Sequence, residues 1–203
     1  MHLRAPAILV AARPHGETAV IARMLTEDHG VVAGYVAGGR GRQLRPVIIP
    51  GNLVEVDLRA KSDSQLPFAR LELVASRGPW LGEPLPSAGI GWVTALTASV
   101  LPERNAYPNL YSALAAVLEA ICQAPSARGW LPGLVADEAL LLRELGYGAN
   151  GPWGNRPLGD LVDIIAAMDK LAGPLDEYLL ADRRGDVMAA RARLRELLGR
   201  MVG

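Results

Sequence analysis

Three arginines, Arg40, Arg42 and Arg45, follow a glycine-rich sequence in the segment "GYVAGGRGRQLRPV", residues 34–47. Glycine tolerates positive backbone φ and close approach by another molecule, so we predict a flexible loop here. Three guanidinium groups on such a loop suit the binding of an anion. A charged hairpin tip that keeps a sheet edge soluble is the alternative. The segment alone leaves both interpretations open.

Few other residues have the types and spacing that catalysis or metal binding requires. The histidines, His2, His15 and His29, do not form a ligand spacing such as HExxH, and Cys122 has no histidine near it in the sequence. The glycine-rich segment lacks the Gly-Lys-Ser/Thr ending of a nucleotide-binding loop, and GxSxG does not occur. We therefore predict no catalytic activity, no cofactor and no bound metal, with Cys122 as an inert core thiol.

The composition is typical of a globular protein. The chain has 203 residues, 50% of them hydrophobic, and Lys+Arg equals Asp+Glu at 21 each. A single cysteine excludes an internal disulfide framework. The N-terminal apolar run "AILVAA" is too short for a signal peptide, and no run approaches the ~18 apolar residues of a membrane span. These features predict a cytoplasmic protein that does not contact the membrane.

Short β-type runs occupy the first part of the chain. In "NLVEVDLRA" the polar Glu55, Asp57 and Arg59 alternate with apolar residues, which is the period of a half-buried strand. Runs of this type lie at residues 7–13, 18–25, 31–37, 52–60 and 68–76. Five strands in so short a region predict a small closed barrel, most often the OB-fold, which binds oligonucleotides.

The second part of the chain has a helical pattern. A segment rich in proline and glycine, residues 76–89, is predicted to be a linker. Helices are predicted at residues 90–101, 108–123, 131–146, 158–172 and 186–201, with Gly173 and Pro174 breaking or kinking the chain. In the last helix Arg191 and Arg195 fall on the polar side. The fold class is thus α+β, with an OB-fold domain at 1–79 and an all-helical domain at 80–203.

Aromatic side chains are scarce in the predicted barrel. All four tryptophans lie in the linker or the helical part, and Tyr35 and Phe68 are the aromatic residues considered for base stacking. Binding to nucleic acid would therefore depend on arginine and lysine contacts to phosphate. Such contacts predict a strong dependence on salt and little sequence preference.

Residues 13–61 carry a series of short motifs in a recognisable order. A glycine–glutamate pair (Gly16, Glu17) comes first, then "LT" with a following glycine, then "GGR" and an arginine-rich loop, and finally "PGNLVE". This series resembles the N-terminal domain of the RecO family of DNA repair proteins. Residues 101–121 and 140–148 resemble, more weakly, helices of the family's second domain.

The resemblance implies a recombination mediator. Family members bind single- and double-stranded DNA, anneal complementary strands and engage RecR. They also contact the acidic tail of single-stranded DNA-binding protein (SSB), which helps RecA to load, and they act in the bacterial cytoplasm at the nucleoid. Many carry a zinc-binding segment after the position of "ELGYG". Here "ANGPWGNRPLG" follows Gly148 without a cysteine, so the resemblance implies a short form that lacks this segment.

With this resemblance, the basic residues of the barrel become candidate DNA contacts. The best candidates are Arg40, Arg42 and Arg45, and the further candidates are Arg13, Arg23, Arg59 and Lys61. Arg59 and Lys61 share strand parity and are predicted to line one edge, although a solvated strand end is an equal alternative. For the SSB tail the candidates are Arg128, Arg143 and Arg156. Two rival hypotheses are a non-catalytic interaction adaptor that has lost DNA binding and a small enzyme of unrecognised type.

Overall fold

The computed structural model describes residues 2–62, 65–148, 160–181 and 187–201. Within these ranges five strands precede five α-helices, which confirms the predicted α+β class. The strands are β1 (His2–His15), β2 (Ala19–Thr26), β3 (Gly30–Val36), β4 (Leu53–Arg59) and β5 (Phe68–Ala75). The helices are α1 (Pro84–Val100), α2 (Pro108–Gln123), α3 (Leu131–Glu144), α4 (Leu161–Pro174) and α5 (Val187–Gly199).

The strands close into a barrel in the order β1-β2-β3-β5-β4. The long β1 pairs with β4 through residues 2–8 and with β2 through residues 7–15. A register shift between Leu9 and Ala11 separates the two halves of β1, and a bulge of this kind bends a strand sharply enough to serve both neighbours. The parallel pairing of β3 with β5, at Tyr35 and Phe68, completes the circle. This is the predicted OB-fold barrel.

The barrel core is built from alternate residues of each strand. In β4, Val54, Val56 and Leu58 are fully buried, as the period-2 pattern predicts. The core also includes Ala7 and Leu9 from β1, Ala22 and Met24 from β2, Val32 and Val36 from β3, and Ala69 and Leu71 from β5. Because side chains alternate along a strand, the residues between these positions face outwards.

The contacts divide the chain into two compact units. One comprises Met1–Gly82 and Leu101–Tyr111, and the other comprises Glu83–Val100 and Ser112–Gly203. The first unit thus includes a later piece of chain, which we call the return segment (residues 101–111). The boundary at residues 79/80 stays a prediction.

The return segment is held against the start of β3. Glu103 forms an isolated parallel bridge with Val31, and the Arg104 amide donates to the Val31 carbonyl at 2.9 Å. Gly30, with a φ of +64°, lies so close to this segment that a Cβ atom would be 1.9 Å from the Asn105 carbonyl oxygen. Only glycine fits at this contact.

A buried ion pair ties the helical unit together. The Glu138 carboxylate accepts two hydrogen bonds from Arg191, at 2.9 and 2.8 Å, and one from the Trp92 indole at 2.7 Å. Arg191 also donates to the Met168 carbonyl. These groups come from α1, α3, α4 and α5, so one cluster joins four helices. The predicted position of Arg191 on the polar side of α5 is therefore wrong, because a carboxylate compensates its charge inside the core.

Two features of the helices differ from those predicted. Helix α1 begins at Pro84, inside the predicted linker, because proline in the first turn of a helix removes no hydrogen bond. After Pro174 the chain stays helical, but a π-helical turn at Leu175–Leu180 replaces the α-helical pattern. The predicted helix starts at 158 and 186 lie outside the described residues. No helix within the described ranges is long and apolar enough to cross a membrane.

Asp137, next to the ion pair, makes stability depend on pH. Burial, with a smaller contribution from the Glu138 charge, raises the pKa of Asp137 to about 7. The native carboxyl therefore keeps its proton between about pH 4 and pH 7, whereas the unfolded chain loses it. Unfolding releases a proton in this window, so the free energy of unfolding contributed by this group falls as the pH rises.

We expect Asp137→Asn to gain stability relative to the natural chain as the pH rises from 5 to 8, by a few kcal/mol. Urea denaturation at several pH values measures the difference. A constant difference between the two pH profiles would contradict the raised pKa. Asp169→Asn is the control, because the Arg195 hydrogen bond lowers the pKa of that carboxyl and this variant should lose stability instead.

Candidate nucleic-acid interface

The arginine-rich segment belongs to the connection between β3 and β4, which we call the β3–β4 loop (residues 37–52). These two strands are not neighbours in the barrel, since β5 lies between them. The segment is therefore a crossing connection at one end of the barrel. The hairpin geometry of the alternative interpretation is wrong, because a hairpin needs two adjacent strands. A purely solubilising role for the arginines is a separate question that the strand order does not test.

Hydrogen bonds and apolar contacts fold this loop onto the barrel. The Arg45 amide donates to the Gly41 carbonyl at 3.0 Å, and the Ile48 amide to the Leu44 carbonyl at 2.9 Å. Leu44, Val47 and Ile48 pack against the barrel core. The loop predicted to be flexible is therefore an ordered structure. Its arginines project from a fixed backbone, which reduces the entropy lost on binding a ligand.

Asn52 holds the end of the loop and was not singled out by the sequence analysis. It is fully buried, and its side-chain amide donates to the carbonyls of Pro46 and Val47 at 3.0 and 2.9 Å. Its side-chain oxygen accepts from the Arg77 amide at 2.7 Å. Asparagine is common in turns, so the position of Asn52 in the sequence did not indicate that its side chain holds the loop.

Gly39 and Arg40 attach the loop to the turn between β1 and β2. A Cβ atom on Gly39 would lie 2.9 Å from atoms of both Ile48 and Val20, so a side chain there would displace the loop. The Arg40 amide donates to the Thr18 carbonyl at 3.0 Å, and its guanidinium group donates to the Glu17 carbonyl at 2.9 Å. These contacts bring Arg40 next to the end of β1, where Arg13 lies.

A cavity of about 230 Å³ lies between the β3–β4 loop and the end of β1. Arg13, Arg40 and Arg45 line it, and Val20 and Ile48 contribute to its apolar wall. The structure thus brings together three of the seven predicted DNA contacts. A pocket with basic groups around an apolar wall suits a ligand that has both an anionic and an apolar part.

The arginines of this region have no carboxylate partner among the described side chains. Among the described side chains, no carboxylate forms an ion pair with Arg13, Arg40, Arg42 or Arg45, and all four are exposed. Their charges are therefore not neutralised within the described chain. Phosphate groups are strongly attracted to such unpaired guanidinium groups.

The remaining predicted contacts have different surroundings. Arg23 lies 3.5 Å from the Glu103 carboxylate, and its side chain is only 23% exposed. Arg59 donates two hydrogen bonds to Asp57, at 3.1 and 2.8 Å. This pairing lowers the pKa of Asp57 and raises that of Arg59. β4 ends at Arg59, so the expected strand parity does not extend to the exposed Lys61.

The two aromatic residues that were considered for base stacking, Tyr35 and Phe68, are in contact. The parallel pairing of β3 and β5 places the rings of Tyr35 and Phe68 edge to face, with centroids 5.3 Å apart. The His15 ring lies 5.8 Å from Tyr35 in a similar geometry. The rings of His15, Tyr35 and Phe68 therefore lie next to one another on the barrel surface. The sequence could not reveal this arrangement, because the pairing joins residues far apart in the chain.

Two family models match most of the chain. The model described as "Recombination protein O N terminal" matches residues 1–77, and the model described as "Recombination protein O C terminal" matches residues 84–151. The first covers the strands of the barrel, and the second begins at α1. The segment that would hold the zinc-binding insertion, residues 149–159, lies outside the described residues.

Several curated relatives carry the name DNA repair protein RecO. The protein from Caulobacter vibrioides (strain NA1000 / CB15N) is 40% identical over 144 residues, which is 70% of this chain and 58% of that protein. The protein from Rhodospirillum centenum is 40% identical over 143 residues, 70% of this chain and 56% of its own length. The protein from Rhizobium rhizogenes is 42% identical over 143 residues, with 70% and 54% covered.

The match thus spans less than two thirds of the length of these relatives. The two family models nevertheless cover the whole barrel and the first helices of the helical unit. The N-terminal model includes the motif series at residues 13–61. The chain therefore belongs to the RecO family.

Proposed function

We propose that this chain acts in DNA repair and recombination by binding DNA, without catalysing a reaction. The observation that carries the proposal is the cavity lined by Arg13, Arg40 and Arg45, whose charges have no carboxylate partner among the described side chains. The exposed Arg42 adds a fourth cation on the same loop. The names of the relatives support a role in repair.

The seven candidate residues contribute unequally in this proposal. Arg13, Arg40, Arg42 and Arg45 contact phosphates first, and Lys61 extends the basic surface. Arg23 and Arg59 contribute less, because Glu103 and Asp57 already neutralise their charges. Contacts of this kind give affinity for the backbone of both single- and double-stranded DNA.

The finer proposal is that of a recombination mediator. In it the chain anneals complementary strands, engages RecR and contacts the acidic tail of SSB, so that RecA loads on the DNA. The helical unit offers Arg128 and Arg143, both exposed, as partners for the carboxylates of the tail. Arg156, the third candidate, lies outside the described residues.

The test is the salt dependence of binding. Each phosphate that is neutralised on a single strand contributes about 0.7 to the slope of log K against log salt concentration. We expect the combined change of Arg40, Arg42 and Arg45 to alanine to flatten this slope by roughly 2. Affinity should fall about equally for unrelated sequences, because phosphate contacts carry no sequence information. Fluorescence anisotropy with a labelled oligonucleotide at four salt concentrations measures both quantities.

A second triple variant separates local contacts from net charge. Arg4, Arg193 and Arg200 each pair with a carboxylate at the surface, so changing them to alanine removes the same total charge from other places. This control should leave the slope nearly unchanged. Circular dichroism must show that both variants stay folded. An equal slope for the natural chain and the loop variant would remove these arginines as phosphate contacts. Absence of salt-dependent binding by the natural chain would remove the DNA-binding proposal and favour the interaction adaptor.

A further inference from the structure

The outer surface of the barrel carries one continuous row of residues across all five strands. The strand register pairs Arg13 with Ile21, Ile21 with Tyr35, Tyr35 with Phe68, and Phe68 with Arg59. Neighbouring strands lie about 4.8 Å apart, so the row follows the closed barrel for roughly 20 Å. Tyr35 and Phe68 lie within it, an arginine lies at each end, and the His15 ring lies beside Tyr35.

The row faces solvent. Its sequence neighbours Ala22, Val36, Ala69 and Leu58 are all buried in the barrel core, so the alternate positions point away from it. Phe68 is 64% exposed, the highest value among the exposed large hydrophobic side chains of the described chain. Neither the barrel core nor the fold requires a phenyl ring at this position.

The rings are arranged so that they leave faces open. His15 and Tyr35 meet at 86°, and Tyr35 and Phe68 meet at 77°. In an edge-to-face pair only one face of one ring is covered by the other ring. The three rings can therefore stack against further planar groups. Nucleic-acid bases are planar groups that stack on such surfaces whatever their sequence.

The positive charge next to the rings favours nucleic acid over other molecules that have planar groups. The row reaches Arg13, which lines the basic cavity together with Arg40 and Arg45. A single strand presents phosphates and unstacked bases along the same backbone, so it matches a basic pocket that is continuous with aromatic rings. In a duplex the bases are stacked on one another and cannot reach the rings.

The geometry points to a stacking platform for unpaired bases, formed by His15, Tyr35 and Phe68, with the phosphates of the same single strand held by Arg13, Arg40 and Arg45. This inference rests on the proposed DNA-binding function and adds a preference for single strands to it. It also replaces the expectation that binding depends on phosphate contacts alone.

Phe68 offers a test in which the shape of the barrel is preserved. Phe68→Leu keeps an apolar side chain but removes the ring, and Phe68→Trp keeps a ring. Val74→Ala changes another exposed apolar residue of β5, 59% exposed, that lies outside the row. Three probes are used with the full chain: a single-stranded oligothymidylate, a duplex of equal length, and an abasic strand that has the sugar–phosphate backbone alone.

We expect Phe68→Leu to weaken binding of oligothymidylate by about 5-fold or more, because loss of one stacked base contact has at least this effect. Binding to the duplex and to the abasic strand should stay the same, as should the salt slope, since no phosphate contact is lost. Phe68→Trp should bind oligothymidylate as well as the natural chain does, and Val74→Ala should behave like the natural chain.

The outcomes separate this inference from the function on which it rests. Equal oligothymidylate affinity for the natural chain and a folded Phe68→Leu variant would overturn the stacking platform, while salt-dependent binding by the natural chain would leave the proposed function in place. An equal loss on all three probes would also overturn it, because bases would not be the group recognised. Failure of the natural chain to bind any probe would remove both.

Discussion

Changing Glu138 to glutamine is expected to lower the free energy of unfolding by about 3–5 kcal/mol. Glutamine keeps the size of the side chain but cannot compensate the charge of Arg191. That guanidinium group would stay in the core of the helical unit, where its side chain is only 4% exposed. A buried charge without a counter-charge is among the most destabilising features a single substitution can create. Urea denaturation followed by circular dichroism measures the loss.

Two further variants show whether charge is the cause. Adding Arg191→Met to Glu138→Gln should recover much of the stability, because the double variant leaves no unpaired charge in the core. Glu196→Gln breaks surface pairs with Arg193 and Arg200 and should cost far less, because solvent screens exposed ion pairs. A loss below 1 kcal/mol for Glu138→Gln alone would mean that water reaches the pair.

Gly30→Ala is expected to destabilise the barrel unit by about 2–5 kcal/mol. A positive φ costs a residue with a Cβ atom about 1–2 kcal/mol. The new Cβ atom would also lie 1.9 Å from the Asn105 oxygen and 2.5 Å from the Asn105 carbonyl carbon, so the return segment must move. Such displacement costs about 1–3 kcal/mol more. Thermal and urea denaturation of the variant measure the sum.

Gly16→Ala is a matched control for this prediction. Gly16 has nearly the same backbone conformation, with a φ of +59°, but no atom lies within 4 Å of the Cβ position. This variant should therefore show the conformational cost alone. Equal losses for the two alanine variants would show that the return segment yields without cost at this contact.

The local pattern of the strands and the closed barrel could be predicted, but the order in which the strands pair could not. Alternation of Val54, Val56 and Leu58 with polar residues identified β4 and its buried face. The β3–β4 loop was open to two interpretations, because the pairing of Tyr35 with Phe68 decides that β5 lies between β3 and β4. That pairing joins distant parts of the chain and leaves no periodic signal. For the same reason, the contact between the Tyr35 and Phe68 rings could not be predicted.

Helix α5 shows a second limit of periodicity. An arginine counts as polar in any amphipathic pattern, so Arg191 was assigned to the solvent side. The buried positions are in fact Arg191, Leu194 and Leu198. The residue that makes burial of the arginine possible is Glu138, which precedes it by 53 positions. No local pattern could have connected the two.

Because the return segment contacts β3, the barrel unit cannot be completed until this later part of the chain has been synthesised. All five strands are synthesised before residues 101–111 exist, and the 17 residues of α1 are made in between. At about 5–20 residues per second, the start of β3 waits roughly 4–15 s for the segment that contacts it. During this interval Gly30 and Val31 lack their contacts with the return segment. The barrel, although first in the sequence, is therefore finished only after the helical unit has begun.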